Sequence, residues 1–236
     1  QWNAIPGSYI QFVLEEPQAG LVAEYRPGGG NVNAVLFVDS GWPHDAAAAG
    51  LTTITYITSD SADEDGRIVD TDVEINADDF VFSTTGEADR HDLANVLTHE
   101  FGHVLGLDHT CDDGLVQPTP TDHLGTVIPS CFPIASLPPN ITEPTMFNFA
   151  YPGSSDKVSL DPDDILGIES IYPLAADPAN CEPPNLVPRG NCNCQGSGTG
   201  GGVHQEKTLP PRSRIGSSSS CSGSCSTRIQ PTGQSQ

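Results

Sequence analysis

The sequence predicts an α+β domain followed by a disordered tail, and three observations carry that reading. Strand-like alternation fills residues 9–83, helical periodicity appears only after it, and the composition changes abruptly near residue 177. Residues 177–236 hold three acids and five bases, whereas residues 1–176 hold the other 28 acids and four bases. All Phe, Tyr and Trp lie in the first part, while 26 of the last 60 residues are Gly, Ser or Pro. A segment of that kind buries too little apolar surface to offset its ordering entropy. The folded domain is therefore assigned to residues 1–176, long enough for one core, and the low-complexity tail to residues 177–236.

Taken in order, β-branched and alternating residues predict strands at Tyr9 to Leu14, Leu21 to Tyr25, Ala34 to Val38, Thr53 to Ile57, Arg67 to Ile75 and Phe80 to Ser83. Asp92 reads as the N-cap of a helix in which Leu93, Val96, Leu97, Phe101, Val104 and Leu105 recur at three-and-four spacing up to Gly106. A second helix is predicted from Pro162 to Ile171, with Asp161 or Ser159 at its start.

The net charge of −22 excludes nucleic acid as a partner, because phosphate backbones are bound by clustered Lys and Arg. No apolar run approaches the length of a membrane span. Cys111 and Cys131 are the only cysteines of the domain and bracket a polar loop, which predicts a local disulfide and an oxidising, extracellular setting. Five more cysteines lie in the tail at spacings unlike those of a zinc ribbon.

The first helix carries His99-Glu100-Phe101-Gly102-His103 and continues to Gly106 and His109. Residues four apart share a helical face, so the imidazoles of His99 and His103 can address one cation. Glu100 projects beside that cation, where a carboxylate can take a proton from water. Gly106 permits the positive φ that stops the helix and brings His109 back as a third ligand. Three neutral imidazoles leave one position open on a tetrahedral Zn2+, the arrangement of a catalytic site.

The extended string HEFGHVLGLDH has the metzincin form, and LTHEFGHVLGLDHT resembles the active-site helix of matrixins, the matrix metalloproteinase subfamily. GRIVDTDVEIN resembles a strand of that family, and SLDPDDILGIESIY resembles its C-terminal helix with paired acids at Asp163 and Asp164. The resemblance covers residues 1–175 and is nearer to secreted bacterial forms. It implies a zincin-like fold with a twisted mixed sheet, and a Met-turn at Met146, the only methionine. It also implies a zinc endopeptidase with Glu100 as general base, one catalytic Zn2+ on His99, His103 and His109, and protein or peptide substrates. A secreted, monomeric enzyme is expected, tethered through its tail if it is attached to a surface.

The family's Trp at the end of its first helix corresponds to Trp2, which places the first strand and most of that helix before Gln1. Asn148 stands where the family has a Pro in the wall of its specificity pocket, and Tyr151 is displaced by one. Residues 61–66 approach a calcium loop, but strand patterns flank them and an Asp-Gly hairpin turn is favoured. Asp70 and Asp72 on the next strand remain candidate Ca2+ ligands. His91 reads as a surface or capping residue, and His44, His123 and His204 as non-ligating. Phe80 to Ser83 is the expected strand edge for substrate. The competing reading is a non-catalytic, surface-attached binding protein, against which Glu100 argues.

Overall fold

The computed structural model describes residues 1–59, 65–114, 119–122 and 124–179, together with the backbone of 226–231. Five strands form one mixed sheet in the order β1-β7-β2-β4-β3, with β1 at Gln11–Leu14, β2 at Asn33–Val38, β3 at Gly50–Tyr56, β4 at Ile68–Asn76 and β7 at Ser226–Pro231. β1, β7, β2 and β4 run parallel, and only β3 is antiparallel to its neighbour. A separate pair joins β5 (Phe82–Ser83) to β6 (His91–Asp92). The helices are α1 (Leu93–Val104), a single turn α2 (Pro139–Thr142) and α3 (Pro162–Ile171). No helix of the described residues is long and apolar enough to cross a membrane.

Strand periodicity decides which face of the sheet receives α1. On β4, Val73 and Ile75 point to one side and pack with Val35, Val96 and Val104. Asp72, Glu74 and Asn76 alternate with them and face the loops, where Glu74 meets His44 at 3.0 Å and Asn76 Nδ2 donates to the Ala48 carbonyl. The opposite flank of α1 packs on a second cluster of Trp2, Ile5, Ile10, Leu105, Met146 and Ile168. The Trp2 indole N–H donates to the Thr98 carbonyl at 3.0 Å and pins the first residues to α1. α1 is thus held between the sheet and the C-terminal half of the domain.

Both helix starts follow their sequence signals. The Asp92 carboxylate accepts from the Asn95 N–H at 2.8 Å, and Asp161 with Asp164 forms a capping box on α3. The Cys111–Cys131 disulfide forms as expected, and its sulfurs are buried beside Phe147.

Four expectations change. Residues 21–25 form no strand, and both edges of β2 are taken by β7 and β4. β3 begins at Gly50 rather than Thr53. Of the stretch 80–83 only Phe82 and Ser83 pair, and with β6 rather than as an edge of the main sheet. The tail contributes a strand: Ser226–Pro231 lies between β1 and β2, although tail composition predicts no regular structure. Thr227 and Ile229 supply local β propensity there, and hydrogen bonding to strands on both sides outweighs the weak composition. Most of the loop 61–66, with His123 and His204, lies outside the described residues.

Candidate metal centre

α1 ends in a motif that does more than stop the helix. Gly106 takes φ +87°, its N–H donates to the His103 carbonyl, and the Leu107 N–H donates to the Gly102 carbonyl. These two bonds form a Schellman reversal, which throws the chain back along the helix. The return places the Leu107 carbonyl 2.8 Å from His103 Nδ1 and carries His109 to the open side of the His99 and His103 rings.

The three Nε2 atoms converge, each pair 3.2 Å apart. His99 Nδ1 donates to the Thr145 carbonyl at 2.7 Å, as His103 Nδ1 does to Leu107. Those bonds place the ring proton on Nδ1 and leave Nε2 with a bare lone pair facing the cluster. Burial, then the Lys157 ammonium and the neighbouring rings, pushes the His99 pKa well below the usual imidazole value. Burial, then His103 and Lys157, does the same to His109. Buried neutral rings with lone pairs aimed at one point repel each other unless a cation lies between them. Ligands at about 2.0–2.1 Å in a tetrahedral set stand roughly 3.3 Å apart, so the observed spacing fits a zinc-sized ion. Among the described residues this is the one group of His, Cys, Asp and Glu placed to hold a metal. Among the described residues Asp70 and Asp72 belong to no such group.

The remaining predicted residues surround this cluster. Glu100 is buried, and its Oε2 accepts from Thr52 Oγ1 on β3 at 2.7 Å. Met146 is buried under α1, with Sδ packed so closely on Gly102 that a β-carbon there has no room. The Met146 carbonyl accepts from the Thr110 N–H at 3.2 Å, which ties the residue following His109 to this floor. Asp164 holds the floor from behind: its carboxylate oxygens accept from the Thr145 N–H at 2.9 Å and the Met146 N–H at 3.3 Å. His91 is set apart, half-buried against Phe80, and His44 is engaged with Glu74, so neither joins the cluster.

Two participants carried no signal in the sequence. Lys157 is buried with Nζ 3.3 Å from His99 Nδ1 and bonded to the Phe147 carbonyl; burial pushes its pKa down to about 8, against the pull of Glu100 and Asp164. Thr52 sits in an unremarkable strand and is identifiable only from its bond to Glu100. Lys157 also lines a cavity of about 310 Å³ with Ile134, Leu137, Phe147, Phe149 and Tyr151. Tyr151 thus reaches the cavity despite its displaced position, while Asn148 Oδ1 lies 3.5 Å from the Cys111 sulfur.

A convergent His trio with an adjacent buried carboxylate makes a candidate metal centre. Residues 21–123 match the family model for matrixin, a span that takes in β2 to β6, α1 and His109. That match, over a little under half of the chain, supports a matrixin-like metalloprotease domain. Comparison with curated proteins and with solved structures finds no match.

Proposed function

We propose that the chain is a secreted zinc endopeptidase that cleaves extended segments of extracellular proteins, with Glu100 as its proton carrier. The observation that carries this reading is the convergence of three imidazole Nε2 atoms, each pair 3.2 Å apart, beside the buried Glu100. His99, His103 and His109 would hold the ion, and zinc bound there supplies Lewis acidity that polarises a carbonyl and acidifies water. Glu100 accepts the proton from the attacking water and returns it to the departing amine. Met146 acts as the Met-turn, a hydrophobic floor under the ligands that is fixed by Asp164.

Substrate is placed along β3. This strand is the outer one of the main sheet, and its Gly50–Thr52 end lies against Glu100, so an added strand would carry a peptide bond past the carboxylate. The cavity beside Lys157 would receive a neighbouring substrate side chain. The Cys111–Cys131 disulfide supports an oxidising compartment. The acidic domain surface favours cationic substrates.

The test is zinc content and cleavage of a quenched fluorescent peptide by the full chain and by Glu100→Gln. One zinc per chain in both, with turnover lowered by about 10²–10⁴ in the variant, is the expected result. Equal cleavage by the two proteins, or no bound zinc, rejects the reading.

A further inference from the structure

The Glu100 side chain has several rotatable bonds, and a carboxylate that is to exchange protons at one point must be kept from sampling other rotamers. Two residues of β3 restrict it. Thr52 Oγ1 donates to Glu100 Oε2 at 2.7 Å and lies 3.2 Å from the backbone carbonyl of the same residue. Gly50 is two residues earlier and so on the same face of the strand. A β-carbon at Gly50 would stand 2.7 Å from Glu100 Oε1, closer than real β-carbons come, and 3.0 Å from both Cδ and Cγ, a tight contact.

The two contacts are complementary. One oxygen is tied by a hydroxyl, and the other sits where a side chain at Gly50 would begin. A hydroxyl bonded to an ionised carboxylate is among the stronger hydrogen bonds. Threonine is suited to the task because its β-branched side chain is stiff about χ1, so the hydroxyl does not have to be ordered at the moment of reaction. Its position in β3 is set independently, by pairing with Val73 of the neighbouring β4.

We infer that Thr52 and Gly50 form a socket on β3 that positions the Glu100 carboxylate for proton transfer. Thr52 is a positioning residue that holds one oxygen, and Gly50 provides the space that lets the other settle against the strand. This rests on the reading of Glu100 as proton carrier. It adds that the strand expected to bind substrate also aims the base, so substrate register and base position are set by one element.

The experiment compares full-length Thr52→Val, Thr52→Ser, Gly50→Ala and Glu100→Gln for kcat and KM on a quenched peptide, for zinc content, and for the Tm of the metal-free protein. Thr52→Val is expected to lower kcat by roughly tenfold or more, the scale of one hydrogen bond to a charged group. KM should stay within about twofold, the pattern of an interaction made in the transition state, and zinc content and Tm should match the parent. Thr52→Ser restores the hydroxyl and should return kcat to within about threefold of the parent, while Gly50→Ala should lower kcat with zinc retained. If Thr52→Val misfolds, Thr52→Ala removes the same hydroxyl with less steric risk. Parent-like kcat in the Val or Ala variant overturns the socket, as does a loss that Ser does not rescue or that follows zinc content or Tm. Full activity in Glu100→Gln overturns the base reading and the socket with it, whereas an inactive Glu100→Gln beside a parent-like Thr52→Val removes the socket alone.

Discussion

The two halves of the main sheet are assembled by opposite means. On the β3 side, β2, β4, β3 and α1 all come from residues 33–104, and His109 follows within five residues of the helix end. On the β1 side, β1 pairs, among the described residues, only with β7, a strand that begins at residue 226. The metal centre therefore lies in the half built from nearby chain, and the half built from distant chain carries none of its ligands. Contacts close in sequence cost less loop entropy to form than those across two hundred residues, so the metal-bearing half is the one expected to form first and open last.

The sharpest way to break this contrast is to end the chain at Cys225 and so remove β7. Loss of one strand's hydrogen bonding on both sides should cost on the order of 3 kcal/mol, a fall of about 10 °C in Tm for a domain of this size. Hydrogen exchange should rise in β1 and along one edge of β2, while α1 and β3 keep their protection and zinc affinity holds. Equal loss of protection in α1 would show that the two halves are one cooperative unit.

Removing the Cys111–Cys131 bridge by paired Ser substitution perturbs the other side. A loop of about 20 residues gives roughly 3 kcal/mol by chain entropy, often less in practice. The bridge packs with Phe147, Ile134 and Leu137, and all three line the cavity beside Lys157. KM for peptide should rise while protection of β1 and β7 is unchanged. A change confined to β1 would contradict the division.

The smallest effect is expected at β4, which the halves share. Asp70 is buried with Oδ1 lacking a hydrogen bond partner among the described residues, and burial followed by the charge of Asp72 pushes its pKa up to about 7. The folded state then holds a proton that the unfolded state has released between pH 4 and 7, so stability falls as pH rises across that window. Asp70→Asn should flatten this slope and stabilise the protein by roughly 1–2 kcal/mol at pH 8. Denaturant melts of both proteins at pH 4.5, 6 and 8 would check it; a parent slope in the variant would place the titrating group elsewhere.

What was legible in the sequence follows the same division. His99, Glu100, His103 and His109 sit at spacings fixed by helix geometry, and Asp92, Gly106 and Asp161 mark helix ends through local hydrogen bonds. Each of those signals spans fewer than a dozen residues. β7 was hidden because its reason to be a strand is the pair of neighbours it meets, not its own residues. Residues 21–25 failed in the opposite way, having a strand pattern but pairing with no strand of the sheet. Thr52 and Lys157 reach the site from 48 and 58 positions away from the residues they touch, and no spacing rule covers such distances.

The start of α3 has a practical consequence. Asp164 caps its own helix and fastens the Thr145 and Met146 amides, and the Thr145 carbonyl selects which His99 nitrogen keeps its proton. The ligand-bearing helix is thus not a portable cassette. Grafted alone onto another scaffold, it would bring two imidazoles with the first free to choose its tautomer; an engineer would have to transplant residues 145–164 with it to obtain a metal site of defined ligation.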